Sequence, residues 1–136
     1  LMNPNSAITA LTYLGGERYV PNYNIMAIAK SALDSCVRYL AAEFGEQGIR
    51  VNALSAGPVK TLAFKGIAGS DILLKISEMR APLQRNVTLD EVGNSGLYLC
   101  SPLSTGVTGE IHHVDCGMHS VAINKQDALI LAQKTK

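Results

Sequence analysis

The chain has few cysteines and no excess of either charge. Its three cysteines, Cys36, Cys100 and Cys116, are odd in number and widely spaced, which argues against a disulfide framework and suits a reducing cytoplasm. No two of them have the short spacing of a zinc site, so we predict no metal. Twelve basic and eleven acidic residues are interspersed, with a net charge of +1. Without a one-signed patch, no binding to nucleic acid or to an anionic membrane surface is expected.

Long apolar runs and a targeting leader are also missing. No stretch approaches the roughly 20 apolar residues of a membrane span, and the first residues have neither a basic leader nor an apolar signal core. Hydrophobic residues make up 47% of the 136 positions and charged residues 17%, which is typical of one globular domain. Because Leu1 stands close to a strand-like segment, we expect a truncated or processed chain.

Short apolar runs and helical periodicity alternate along the sequence. Apolar, partly β-branched runs predict strands over 6–12, 49–55 and 110–114. Apolar spacing predicts helices over 22–44 and 72–79, with 61–69 as a loop. A third helix is expected after the Thr-x-x-Glu capping box of Thr88 and Glu91. The polar tail from Asn124 is expected to be helical or frayed.

This order of elements predicts an α/β fold with a parallel sheet. The strands lack clean polar–apolar alternation, as expected when helices cover both faces of the sheet. An open sheet that binds a dinucleotide normally carries a Gly-rich turn after its first strand, and the sequence has no such turn. Either the fold is a different one, or the first half of the domain is absent from the chain.

The long helix predicted over 22–44 carries a continuous apolar stripe that is expected to face the core. Its members are Ile25, Ile28, Ala29, Ala32, Leu33, Cys36, Leu40 and Phe44. We therefore predict that Cys36 is a small buried residue.

Tyr23 and Lys30 lie seven positions apart on the same predicted helix. Seven residues bring the two side chains within roughly 20° of each other, with Cα atoms about 10 Å apart. A nearby ammonium favours the ionised form of a phenol, and the phenol can stabilise an oxygen that becomes negative during a reaction. Taken alone, the pair fits better a half-buried tyrosine beside a lysine that extends to solvent, because this spacing is easily met by chance.

Four segments in order resemble the bacterial enoyl-acyl carrier protein reductases, which are short-chain dehydrogenase/reductases. The first holds Tyr13-Leu14-Gly15, Pro21-Asn22-Tyr23-Asn24-Ile25-Met26 and Ala29-Lys30. The others run over 48–63 (GIRVNALSAGPVKTLA), 90–94 (DEVGN) and 105–110 (TGVTGE). The resemblance extends from about Asn3 to Gly117. It implies that residues 1–136 are the C-terminal portion of a single Rossmann-like, doubly wound reductase domain.

The resemblance also implies roles for particular residues. Tyr23 matches the tyrosine that bonds the substrate thioester carbonyl, Lys30 the lysine that holds the nicotinamide ribose, and Tyr13 a second tyrosine near the substrate. The expected cofactor-binding residues are Lys30, Val59, Lys60, Thr61, Leu62 and Ala63. The expected substrate pocket is formed by Tyr13, Tyr23, Met26, Phe64 and Ile67.

The Tyr-x6-Lys spacing favours enoyl reduction within the superfamily, because ordinary short-chain dehydrogenases have Tyr-x3-Lys. Here Tyr23 and Tyr39 are followed four positions on by Ala27 and Glu43. The implied enzyme is a cytoplasmic homotetramer that reduces a trans-2-enoyl group on acyl carrier protein in type II fatty acid synthesis. Its implied cofactor is NADH, with NADPH as the second choice. The alternatives are a 3-oxoacyl thioester reductase and a non-catalytic fragment or binding module.

The sequence departs from the family pattern at a few positions. Cys116 stands where a second glycine is usual, so a turn that needs a positive φ there would be strained. Gly69-Ser70 replaces a loop aromatic, and Phe64 replaces a small residue, which bears on chain-length preference and inhibitor sensitivity. His112 and His113 are adjacent on a predicted strand and face opposite sides, so a structural role is expected for both.

Overall fold

Three parallel strands and four helices have bounds within the part of the chain that the structure describes. The computed structural model describes residues 2–61, 64 and 69–134. The strands are β1 (Ala7–Thr12), β2 (Arg50–Ala56) and β3 (Ile111–Val114). The helices are α1 (Ile25–Phe44), α2 (Ser70–Arg80), α3 (Leu89–Cys100) and α4 (Lys125–Lys134). Short 3₁₀ turns occupy Leu14–Gly16, Gly45–Gln47, Pro102–Ser104 and Met118–Ser120.

The sheet has the order β1-β2-β3, and both pairs are parallel. Ala53 of β2 lies opposite Ala10 of β1 and Ile111 of β3. Parallel neighbours require crossover connections, and α1 supplies the one between β1 and β2. The predicted α/β class and parallel sheet are therefore confirmed.

Helices cover both faces of the sheet. On one face, Val37 and Ala41 of α1 pack with Val51 and Ala53 of β2 in a buried cluster, against which Ile8, Ala10, Phe44 and Ile111 also pack. On the other face, Leu54 is buried and lies against Gly96 of α3, where a Cβ would come within 3.8 Å of its Cδ1. Successive strand residues point to opposite faces, so Ala53 and Leu54 divide β2 between the two layers.

The predicted elements differ from the observed ones chiefly at their ends. Helix α1 begins at Ile25 rather than Asn22, because Asn22 and Asn24 have positive φ values of 63° and 45°, which helical residues do not adopt. The predicted capping box is confirmed: the Thr88 hydroxyl accepts from the Glu91 backbone N–H, and Glu91 accepts from the Thr88 N–H. The tail after Asn124 was expected to be helical or frayed, and it forms the helix Lys125–Lys134.

The prediction that the apolar stripe of α1 faces the core was wrong. The buried residues of α1 are Asp34, Val37 and Ala41, whereas Ile25 and Ile28 are 77% and 69% exposed and Cys36 is exposed. Leu33 and Phe44 are half-buried, and the other stripe residues, Ala29, Ala32 and Leu40, are exposed. The apolar arc of the helix is wider than its contact with the sheet, so periodicity alone pointed to the wrong part of it. Over the residues described, no helix is long and apolar enough to cross a membrane.

Candidate active site

The candidate site lies where the three parallel strands end. Tyr13 follows β1, Gly57 follows β2 and Asp115 follows β3. The Gly57 N–H donates to the Val114 carbonyl at 2.9 Å, and a Cβ on Gly57 would lie 3.0 Å from the Asp115 Cα. Only glycine allows this close approach. Open α/β sheets bind ligands at the carboxyl ends of their strands, so this edge is the expected place for chemistry.

Two predicted site residues, Tyr13 and Tyr23, come together here. Their ring centroids are 4.9 Å apart in an edge-to-face arrangement with an interplanar angle of 61°. The 3₁₀ turn Leu14–Gly16 lies against the pair, and a Cβ on Gly15 would collide with the Tyr23 ring. The turn therefore sets the position of the Tyr23 ring. The two tyrosines are ten positions apart in the sequence.

Burial keeps both phenols protonated near neutral pH. The pKa of Tyr13 is raised to about 12, chiefly by desolvation and further by the negative charges that Tyr23 and Asp115 can carry. Desolvation also raises the pKa of Tyr23. Protonated phenols donate hydrogen bonds, so the pair can offer O–H groups to an oxygen of a bound molecule.

Lys30 is engaged with the sheet rather than with the tyrosines. Its Nζ donates to the Leu11 carbonyl of β1 at 2.8 Å. The sequence argument expected the Lys30 ammonium to favour the ionised form of Tyr23, and the raised pKa of Tyr23 contradicts that direction because desolvation is its cause. An ammonium has three donors, so two N–H groups remain, a donor set that fits the vicinal hydroxyls of a ribose.

The predicted cofactor segment begins at the end of β2. Gly57 and Pro58 are buried, Val59 is half-buried, and Lys60 and Thr61 are exposed. The Thr61 N–H donates to the Val59 carbonyl at 2.9 Å, and its hydroxyl accepts from the Phe64 N–H at 3.1 Å. The three remaining residues predicted for the cofactor segment and the pocket, Leu62, Ala63 and Ile67, lie outside the described residues.

A cavity of about 210 Å³ opens beside Tyr13. Apolar side chains from α2 and from the segment after β3 form part of its wall, among them Leu73, Ile76, Met118 and Val121. The sequence argument missed these four residues because they lie 60 or more positions from Tyr13; the only signal was the i, i+3 spacing of Leu73 and Ile76. Met26, which is exposed, and Phe64, which is half-buried, remain predictions as pocket residues.

The parallel sheet with helices on both faces is a Rossmann-like arrangement, as in the similar solved structures. Residues 1–119 match the family model described as Enoyl-(Acyl carrier protein) reductase, and the chain belongs to this family.

The similar proteins carry the same description. A relative from Rhizobium meliloti is named enoyl-[acyl-carrier-protein] reductase [NADH] 1. It is 56% identical over 128 residues, which are 94% of this chain and 47% of that protein. The crystal structure of FabI from Candidatus Liberibacter asiaticus has a TM-score of 0.86 at 53% identity, over 90% of this chain and 48% of that one. The Anaplasma phagocytophilum reductase in complex with NAD has a TM-score of 0.82 at 50% identity, with shares of 88% and 45%. The chain thus spans about half the length of these relatives.

Proposed function

We propose that the protein is an enoyl-acyl carrier protein reductase that reduces the trans-2 double bond of an enoyl thioester with NADH in type II fatty acid synthesis. The observation that carries the proposal is the pair of protonated tyrosines with ring centroids 4.9 Å apart, of which Tyr13 follows β1 and lines the cavity. Membership of the family supports it. The names of the curated relatives favour NADH over NADPH, while the similar solved structures include one complex with NAD and one with NADP+.

The two tyrosines and Lys30 take distinct parts in this reaction. Tyr23 donates its O–H to the thioester oxygen, where negative charge builds as the double bond is reduced, and so stabilises the enolate. Tyr13 lines the cavity and packs edge-on against Tyr23. Lys30 holds the ribose hydroxyls with the N–H groups that Leu11 does not use. When bound, the nicotinamide supplies a hydride for the β-carbon, and a proton added at the α-carbon completes the reduction.

Replacement of Tyr23 tests the proposal. In the complete protein, Tyr23→Phe is expected to lower kcat for NADH oxidation with crotonyl thioester by about 10²-fold, the usual effect of losing one oxyanion donor. Tyr39→Phe is the matched control, because Tyr39 is an exposed residue of α1. An unchanged kcat in Tyr23→Phe would remove Tyr23 from the mechanism. Faster turnover of acetoacetyl than of crotonyl thioester would replace the proposal with a 3-oxoacyl reductase.

The domain and the assembly belong to the same proposal. We infer that residues 1–136 form the second half of a Rossmann-like domain, since within the described residues β1 pairs on one edge only and the relatives are about twice as long. Acyl carrier protein delivers the substrate, and the enzyme acts in the cytoplasm as a homotetramer. The exposed apolar arc of α1 supports assembly, because large apolar patches on soluble proteins mark contacts with other polypeptide.

A further inference from the structure

Four polar side chains in a row join the residue after the 3₁₀ turn Leu14–Gly16 to the end of β3. His113 Nε2 lies 2.8 Å from Glu17 Oε1, across 96 positions of sequence. The ring of His113 stacks on that of His119, with centroids 4.1 Å apart and an interplanar angle of 19°. His119 Nδ1 lies 2.9 Å from Asp115 Oδ1. We call Glu17, His113, His119 and Asp115 the polar bridge.

The hydrogen bonds of the bridge have a defined direction. Ionised carboxylates only accept, so His113 donates from Nε2 to Glu17 and His119 donates from Nδ1 to Asp115. Asp115 is buried and also accepts from the backbone N–H groups of Gly117 at 3.0 Å and His119 at 2.8 Å. One end of the bridge is therefore rigidly held by the turn after β3, while the other end holds Glu17.

Glu17 directly follows the 3₁₀ turn that lies against the tyrosines. Its backbone N–H donates to the Leu14 carbonyl at 3.0 Å, so the turn and Glu17 move together. Gly15 of that turn has no room for a Cβ beside the Tyr23 ring. The turn is also tied to α1, because the Ser31 hydroxyl donates to the Gly16 carbonyl. The hydrogen bond between Glu17 and His113 connects the turn to β3 of the sheet as well. Tyr13 follows β1 of the same sheet.

The other end of the bridge lies at the end of β3, next to Gly57 at the end of β2. The charge of Asp115 acts on the Tyr13 phenol, and the Asp115 backbone is in close contact with Gly57, where the predicted cofactor segment starts. The bridge thus joins the end of β3 to the turn that supports Tyr23. The same turn holds Tyr13, because the Gly16 N–H donates to the Tyr13 carbonyl at 2.8 Å.

We propose that His113 and His119 are positioning residues. They act through Glu17 and Asp115 to keep Tyr13 and Tyr23 where the phenol O–H group can donate a hydrogen bond to the substrate oxygen. This inference rests on the proposed function, since it assigns the bridge to the same tyrosine pair. Small displacements of donor groups are costly to catalysis, so a loosened turn should lower turnover. Lys30 is held separately, by α1 and by its hydrogen bond to the Leu11 carbonyl.

Glu17→Ala in the complete protein tests the bridge, because Glu17 is exposed and its removal spares the core. We expect kcat with crotonyl thioester to fall by about 10-fold or more, with KM for NADH unchanged. Glu17→Gln keeps an acceptor for His113 and should restore most of the loss. Glu46→Ala, at an exposed glutamate in the turn after α1, is the matched control. Carbon-13 NMR of ring-labelled tyrosine should show shifted Tyr13 and Tyr23 resonances in Glu17→Ala alone.

The outcomes separate the two proposals. Unshifted tyrosine resonances in Glu17→Ala would overturn the bridge. Shifted resonances with a parental kcat, in an active protein, would overturn its part in the reaction. Shifted resonances in a parent that does not reduce crotonyl thioester would uphold the bridge and remove the proposed function.

Discussion

At the scale of single residues, burial decides the chemistry of the two tyrosines. A neighbouring ammonium would lower a phenol pKa, yet Lys30 donates to the Leu11 carbonyl and desolvation raises the pKa of both Tyr13 and Tyr23. The residues that share the site thus act as neutral donors rather than as an ionised phenol beside a cation. Such donors suit an oxygen that gains charge only during the reaction.

Cys116 offers a residue-scale test of backbone strain. It has a φ of +57°, so the turn does require a positive φ at this position, and the strain expected from the sequence stays a prediction. Cys116→Gly should relieve a left-handed penalty of roughly 1–2 kcal/mol, offset by roughly 0.5–1 kcal/mol of added chain entropy in the unfolded state. We expect a net gain of about 0.5 kcal/mol in the free energy of unfolding, measured by urea denaturation. Cys36→Gly, on helix α1, should instead lower it. A loss of stability in Cys116→Gly would contradict the strain.

At the scale of elements, the start of α3 is held by a small network. The Thr88–Glu91 capping box is joined by Arg85, whose guanidinium lies against both Glu91 carboxylate oxygens at 2.6 and 2.9 Å. The hydrogen bond from Arg85, followed by that from the Thr88 backbone, lowers the pKa of Glu91 to about 2. Because α3 packs on the sheet through Leu99 and Gly96, this cap also places the second helical layer.

The lowered pKa of Glu91 predicts a pH dependence of stability. Its folded pKa of about 2 lies below the ordinary value of 4.5. The stabilisation is therefore fully present above pH 4.5 and is lost as the pH falls towards 2. Glu91→Gln lacks this contribution, so the difference in free energy of unfolding between parent and variant should shrink over that range. Glu43→Gln, at an exposed residue of α1, is the control. A constant difference from pH 6 to 2 would refute the assignment.

At the scale of the whole molecule, α1 has an exposed apolar arc in addition to the face that packs on the sheet. Ile25 and Ile28 lie on the side of α1 away from the buried Asp34, Val37 and Ala41. Leu97 on α3 is 69% exposed as well. Apolar area of this kind is stabilised when another polypeptide covers it.

The proposed tetramer makes this surface testable. Ile28→Glu in the complete protein should lower the native mass seen by light scattering, because a charge at a covered apolar contact is costly to desolvate. Ile123→Glu, at a 75% exposed residue before α4, should leave the mass unchanged. A tetrameric Ile28→Glu protein with a lower free energy of unfolding would show instead that another part of the same chain covers this surface.

The sequence by itself determined the element order, the parallel α/β class and the family. Short apolar runs, period-3.6 patterns, the capping box at Thr88 and the turn glycines depend on local interactions, which sequence neighbours specify. The motifs around Tyr23, Lys30 and Gly57 are local as well, so the family resemblance could be identified without coordinates.

Only the tertiary structure decided which face of α1 is buried, in which direction the pKa values of the tyrosines shift, and which residue pairs with Glu17. Burial depends on how much of a helix the sheet can cover, and an apolar stripe wider than that contact does not reveal the covered part. Desolvation raises the pKa of Tyr23, whereas a nearby ammonium would lower it, so the direction depends on where the fold places Lys30. The Glu17–His113 bond joins residues 96 positions apart, and only the folding of β3 beside β2 brings them together.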